Sequence, residues 1–174
     1  MKKGFTYNFP RPAVTTDAMV FREGHDCIEI LLIKRKRDPY KDFWALPGGF
    51  LEIEETPEEG SKRELKEETG LEVEVLKEVG TFGEIDRDPR GRTITIAFYT
   101  YLPGNDQKVL PDTDAADLKW YSIRDLPEMA FDHKEILKEG LLKLKSHIIL
   151  AKLDIIDFFG LRPDKLKKIF KCLD

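Results

Sequence analysis

A chain of 174 residues, 41% hydrophobic and 36% charged, has the material for one globular domain with a core and a small appendage. A net charge of −4 and a pI near 5.5 argue against a general nucleic-acid binder, which needs a basic field. No apolar stretch is long enough to cross a membrane and no apolar run follows Met1-Lys2-Lys3, so neither a membrane partner nor a signal peptide is expected. Cys27 and Cys172 stand far apart and make no metal pattern; they are expected as ordinary reduced thiols of a cytoplasmic protein.

Residues 1–12 (MKKGFTYNFPRP) carry aromatics and two prolines and suit an extended entry arm. Ala13–Phe21 (AVTTDAMVF) and Cys27–Lys34 (CIEILLIK) are β-like runs. The link Arg22-Glu23-Gly24-His25-Asp26 suits a hairpin, with His25 facing solvent. The second run ends on Lys34-Arg35-Lys36-Arg37, either a solvated strand end or a phosphate contact. Asp38–Asp42 forms a loop. In the next segment, Phe43–Phe50, Trp44 is placed to plug the core under the Pro47-Gly48-Gly49 turn, whose glycines let backbone approach a ligand.

The most informative stretch runs from Gly49 to Leu71 (GFLEIEETPEEGSKRELKEETGL). Thr56-Pro57-Glu58-Glu59 starts a helix with a hydroxyl cap, a proline at the first helical position and a glutamate three residues after the cap. Gly70 stops it. Glu64, Glu67 and Glu68, at i, i+3 and i+4, share one face, while Ser61 and Leu65 lie on a stripe that can face a core. Each like-charged pair costs about 0.2–0.5 kcal/mol in an isolated helix. Between Glu52 and Glu68 lie eight acidic and three basic residues, a local charge of −5 against −4 for the whole chain. A bound cation would relieve the repulsion. Carboxylate oxygens with no nearby His or Cys favour Mg²⁺ or Mn²⁺ over zinc; a solvated glutamate face is the plain alternative.

The spacing of the stretch is Gly49, five residues, Glu55, seven residues, then Arg63-Glu64-Leu65-Lys66-Glu67-Glu68-Thr69-Gly70-Leu71. It resembles, at every fixed position, the signature box of the Nudix hydrolases, and Trp44-Ala45-Leu46-Pro47-Gly48-Gly49 resembles the segment that often precedes that box. The resemblance implies an α/β fold, the Nudix α/β/α sandwich around a mixed β-sheet, here with C-terminal helices added. It implies a loop–helix–loop that binds divalent metal and hydrolyses a diphosphate linked to another moiety. Carried over by position, it makes Glu64 and Glu68 the main metal ligands and Glu67 a further or water-bridged one. It also brings the Gly49 carbonyl to the metal and uses Glu55 and Arg63 to brace the helix.

Beyond the box, Glu72–Phe82 (EVEVLKEVGTF) alternates like a half-buried strand, and Arg92–Leu102 (RTITIAFYTYL) reads as a central strand. Gly83–Gly91 (GEIDRDPRG) is either a polar hairpin tip or a substrate loop bringing Arg87, Arg90 or Arg92 to an anion; with its flanks it resembles a segment of ADP-ribose pyrophosphatases. Pro103–Thr113 is a polar connection and Asp114–Tyr121 a short strand with its lead-in. By resemblance Asp114 is a candidate extra ligand or general base, with Glu84 and Asp86 as rivals. Ala130-Phe131-Asp132-His133 resembles ADP-ribose hydrolases and the related Nudix-derived regulators. It opens a helix expected through about Lys145, with His133 as a first-turn residue. From Ser146 onward, Ile149, Leu150, Leu153, Ile156 and Phe159 form a helical stripe suited to a core or a dimer. Gly160 ends that helix. Pro163 starts a last basic amphipathic helix with Leu166, Ile169 and Phe170 inward. Too few residues follow Ser146 for a DNA-binding winged helix.

These expectations divide the chain into a Nudix hydrolase domain with its N-terminal arm over 1–137 and a helical extension over 138–174, packed on the domain or at a homodimer interface. The resemblance implies a small nucleotide substrate, ADP-ribose first, cleaved to AMP and ribose 5-phosphate. Metal ions would bridge the phosphate oxygens, a carboxylate would take a proton from water, and arginines, Arg35 among them, would hold the spectator phosphate. A nucleoside triphosphate pyrophosphohydrolase, a diadenosine polyphosphate hydrolase and a non-catalytic ADP-ribose sensor stand as alternatives.

Overall fold

Alternation along the first strand separates the two sides of the molecule. In β1 (Ala13–Glu23), Met19 and Phe21 point to one side, and Ala18 and Val20 point to the other; all four are fully buried. A strand covered on both faces reads as a nearly continuous apolar run, and so do its neighbours. The structure, a computed structural model, describes residues 6–109, 115–153, 158–161 and 163–173.

The other strands are β2 (Ile28–Arg35), β3 (Trp44–Ala45), β4 (Gly48–Phe50), β5 (Lys77–Phe82), β6 (Thr93–Leu102) and β7 (Ala115–Ser122). The sheet order is β3-β2-β1-β6-β5, with β4 also paired to β1 and β7 to β2. β1 and β6 run parallel, in register from Ala13↔Thr93 to Arg22↔Leu102, and the other named pairs are antiparallel. The sheet is mixed, and Arg92–Leu102 supplies an inner strand as expected. Helix α1 (Pro57–Thr69) lays Leu65 on Ala18, Val20 and Leu31. Helices α2 (His133–Lys152) and α3 (Pro163–Cys172) cover the opposite face, where Ile136, Leu144, Ile148, Leu166 and Ile169 meet Met19, Phe21 and Tyr99. This is an α/β/α sandwich.

Three expectations change in the fold. The strand expected from Glu72 begins only at Lys77, because residues 72–74 are tied back to α1: Lys66 pairs with Glu72 at 2.7 Å and Lys62 Nζ donates to the Glu74 carbonyl at 2.7 Å. The helix opening at residue 133 does not stop near Lys145; Ser146 is carried within it, its hydroxyl donating to the Leu142 carbonyl. The core side of α2 is therefore Ile136, Leu137, Gly140, Leu144, Ile148 and Ala151, while Ile149 and Leu153 face outward at 42% and 64% exposure. Ile156 lies outside the described residues. Finally, Cys27 and Cys172 are not reduced thiols. They form a disulfide that ties the end of α3 to the start of β2; distance in sequence said nothing of their proximity, which the docking of α3 creates.

Candidate active site

The glutamate helix forms as its local sequence dictates. Thr56 Oγ1 accepts from Glu59 N–H, and the Glu59 carboxylate accepts from Thr56 N–H at 2.8 Å, a complete capping box. Gly70 closes the helix in the left-handed conformation (φ 72), its N–H donating to the Lys66 carbonyl. With Gly60, Ser61, Leu65 and Thr69 buried against the sheet, the face bearing Glu64, Glu67 and Glu68 turns toward β4 and its loop.

Arg63 is the hub of that face. Its Nε and Nη2 grip both Glu55 oxygens at 2.9 and 2.7 Å, Nη1 reaches Glu64 at 2.8 Å and Glu67 at 3.1 Å, and Nη2 donates to the Phe50 carbonyl at 3.2 Å. This pairing raises the Arg63 pKa further and holds the Glu55 carboxyl below its usual range. Glu67 remains the outermost of the three, its side chain 58% exposed.

Glu68 turns inward. Its Oε2 accepts Gly48 N–H at 2.8 Å. Burial, opposed by that bond and reinforced by Glu64 and Asp17, pushes its carboxyl up to about 8. Burial likewise raises Glu64, which Arg63 pulls back down. Glu64 sits directly behind Gly49: a Cβ there would stand 2.5 Å from the Glu64 carboxylate, so any side chain at 49 would force that carboxylate to move.

The cleft in front of Glu68 measures about 570 Å³ and is lined by Asp17, Arg35, Gly48, Gly49, Phe50, Arg87, Asp88, Arg90, Phe131 and His133 among others. It continues into a basic recess of about 590 Å³ formed by Lys34–Asp38 with Glu68 and Arg90. Arg35 Nε is anchored on the Pro39 carbonyl at 3.0 Å and its guanidinium lies 4.7 Å from the Phe131 ring centroid. Arg90 forks onto Asp88 and stands 5.3 and 5.2 Å from the Phe50 and Phe131 rings. Arg87 is different: its guanidinium is committed to Asp132 through two bonds of 2.8 and 2.7 Å, with its side chain 4% exposed. Arg92 is absent from the lining of either cleft; it donates instead to the Gly83 and Glu84 carbonyls at 2.6 and 3.1 Å and holds the loop in shape.

Of the residues expected at the site, the fold thus brings Glu68, Gly49, Arg35, Arg87 and Arg90 to one cleft, with Glu64 immediately behind it and Glu55 and Arg63 bracing the helix. Glu84 and Asp86 lie exposed on the loop, and Asp114 is outside the described residues. Sequence reasoning passed over Asp17, whose carboxylate accepts from Thr95 Oγ1 at 2.6 Å inside the cleft, and Asp88, Phe50 and Phe131. The available signal for Asp17 was a carboxylate inside an otherwise apolar strand.

Among the described residues no three acidic, His or Cys side chains converge closely enough to grip an ion, because Arg63 draws Glu64 and Glu67 sideways while Gly48 draws Glu68 inward. The donor set nevertheless fits a hard divalent cation: two carboxylates whose charged forms burial disfavours lie beside a backbone that can approach them closely.

A NUDIX domain matches residues 11–140. The chain is 43% identical over 128 residues to an ADP-ribose pyrophosphatase of Methanocaldococcus jannaschii, covering 74% of this chain and 72% of that one. It is 29% identical over 144 residues to the ADPR responsive transcriptional repressor NtrR of Acinetobacter baylyi, covering 80% of this chain and 57% of the relative. The structure of the NUDIX domain of Shewanella oneidensis NrtR complexed with ADP ribose aligns with a TM-score of 0.73 at 27% identity, over 78% of this chain and 90% of that one. The matched span takes in all seven named strands, the glutamate helix and the entry to α2 together, and the chain accordingly belongs to the Nudix family, as a diphosphate hydrolase.

Proposed function

We propose that the protein hydrolyses ADP-ribose to AMP and ribose 5-phosphate with Mg²⁺ or Mn²⁺. The observation that carries this reading is one cleft holding a half-buried glutamate, two arginines and two aromatic faces: Glu68, Arg35, Arg90, Phe50 and Phe131. Relatives named for ADP-ribose support the choice of substrate.

Glu64, Glu68 and the Gly49 carbonyl would hold the metal, with Glu67 as a further or water-bridged ligand; when bound, the metal neutralises phosphate charge and makes a water more acidic. Arg63 and Glu55 keep the helix face in place while these carboxylates are engaged. Arg35 and Arg90 bind the diphosphate oxygens, and the stack of Arg90 with Phe50 and Phe131 offers a flat surface for adenine. A carboxylate accepts the proton of the attacking water, with Asp114, Glu84 and Asp86 as the candidates, none ranked above the others. The substrate is a small nucleotide, with neither nucleic acid nor membrane as partner. We place the protein in the cytoplasm, where a disulfide is at home chiefly in heat-adapted cells. The exposed Leu142 and Ile149 on α2, with Leu153 just past its end, make a homodimer the oligomeric state to test by light scattering.

The deciding assay incubates the protein with ADP-ribose, dGTP or diadenosine tetraphosphate, with magnesium or EDTA, and separates the products. Equal yields of AMP and ribose 5-phosphate from ADP-ribose, abolished by EDTA, are expected. Preferential cleavage of dGTP or of the dinucleotide would replace the substrate. Tight ADP-ribose binding without turnover would favour a sensor, the reading that similarity to a transcriptional repressor supports and the intact glutamate box opposes.

A further inference from the structure

Phe131 and His133, at the entry to α2, both line the cleft. Asp132 is the N-cap residue yet makes no side-chain cap bond; its carboxylate is spent on Arg87. Phe131 occupies the left-handed region (φ 54), a costly conformation for a bulky side chain that persists only where surroundings enforce it.

His133 is buried, at 6% exposure. Its Nδ1 accepts the Leu46 N–H at 2.9 Å. A ring nitrogen that accepts from a backbone amide carries no proton, so the neutral imidazole is protonated on Nε2. That nitrogen faces Asp17 Oδ1 at 3.7 Å, and Asp17 is held in turn by Thr95. Leu46 leads into the turn that Ala18 also pins by donating its N–H to the Pro47 carbonyl at 2.8 Å. Two residues beyond Leu46, Gly48 N–H meets Glu68.

We propose that His133 is a positioning residue: by accepting the Leu46 N–H it sets the Leu46–Gly49 turn at the height where Gly48 N–H meets the Glu68 carboxylate, and so places that carboxylate in the cleft. Burial keeps the ring neutral, and it acts as an acceptor rather than as a charge. Without it the Leu46 amide would be buried and unpaired, and the turn would keep only the Ala18 bond and the pairing of β4 with β1 on its far side. The kinetic part of this inference rests on the diphosphate hydrolase reading; the structural part does not.

The test compares wild type with H133N, H133Q and H133L. Asparagine places an oxygen near the position of Nδ1, glutamine carries its oxygen outward toward that of Nε2, and leucine fills the space and accepts nothing. Amide hydrogen exchange at Leu46 and Gly48, Mn²⁺ affinity by electron paramagnetic resonance, and steady-state kinetics on ADP-ribose are measured for each. In H133L and H133Q, exchange at both amides is expected to quicken at least tenfold while β6 keeps its protection. Mn²⁺ should bind at least threefold more weakly, and kcat should fall at least tenfold with KM within threefold. H133N recovers most of each. Unchanged exchange at Leu46 and Gly48 in H133Q or H133L overturns the proposal, as does H133N as impaired as H133L, or a loss confined to KM. If leucine prevents folding, glutamine carries the same comparison. A wild type inactive on ADP-ribose would sink the substrate assignment alone, leaving exchange and Mn²⁺ binding to judge His133.

Discussion

Glu68 and Gly49 carry opposite demands on the same few ångströms of space. The Glu68 carboxyl is pushed up to about 8 by burial, above the usual unfolded value of about 4.3, so in metal-free protein the folded state holds a proton that the unfolded state has lost. Stability in EDTA is therefore highest below about pH 4.5 as far as this group is concerned, and declines toward pH 8 by at most about 1.4 kcal/mol per pH unit. Glu68→Gln should remove that part of the decline, seen as a flatter denaturation midpoint against pH, while turnover drops by at least about a hundredfold. A Gln variant with near-normal rates would refute the role given to Glu68. Gly49→Ala would drive a methyl into the Glu64 carboxylate at 2.5 Å; turnover should fall at least about tenfold, and an active, folded Ala variant would mean that the β4 backbone need not approach Glu64. Arg90→Ala should raise KM for ADP-ribose more than it lowers kcat, since the side chain stands 41% exposed at the cleft. At this scale the glutamates of α1 stood out in the sequence because their spacing is local, whereas the sequence leaves open which arginine of residues 87–92 faces the cleft. Asp17 and Asp88 did not stand out, because their meaning depends on which strand and loop face them.

Helix α1 was readable residue by residue: cap, proline, capping box and terminal glycine all act within a few positions. Thr56→Ala should cost about 1 kcal/mol, measurable as a lower denaturant midpoint with an unchanged slope. The entry to α2 was readable only as a helix start. Its Asp132 does not cap but clamps Arg87 across 45 residues of sequence, a pairing no local pattern announces. Arg87 is buried and Asp132 partly exposed, so Asp132→Asn, which strands the buried guanidinium, should destabilise by about 3–5 kcal/mol and Arg87→Met by less, with the double variant costing less than the sum. Strict additivity in thermal denaturation would show that the two do not depend on each other. Arg87, expected as a substrate contact, would then lose activity mainly through stability, whereas Arg90 would lose it through KM.

Across the whole molecule, α3 is held by the burial of Leu166 and Ile169 and by the Cys27–Cys172 bond, which closes a span of 145 residues. Cys172→Ser should cost about 3–5 kcal/mol and leave KM unchanged, because among the described residues none of α3 lines the cleft. A reductant should lower the melting temperature of the wild type to that of the variant; no shift would mean the tail is held by its apolar contacts alone. Apolar periodicity and helix caps by themselves marked the main strands and the glutamate helix, and the spacing of the glutamate box carried the resemblance that implied the family and its mixed α/β class, since each of these signals depends on neighbours within a turn or a strand. Tertiary structure alone decided which acids and arginines share a cleft, that α2 runs unbroken past Ser146, that Arg87 serves Asp132, and that two distant cysteines meet. Those outcomes follow from how strands and helices dock, where contacts join residues tens of positions apart and the intervening chain carries no mark of them.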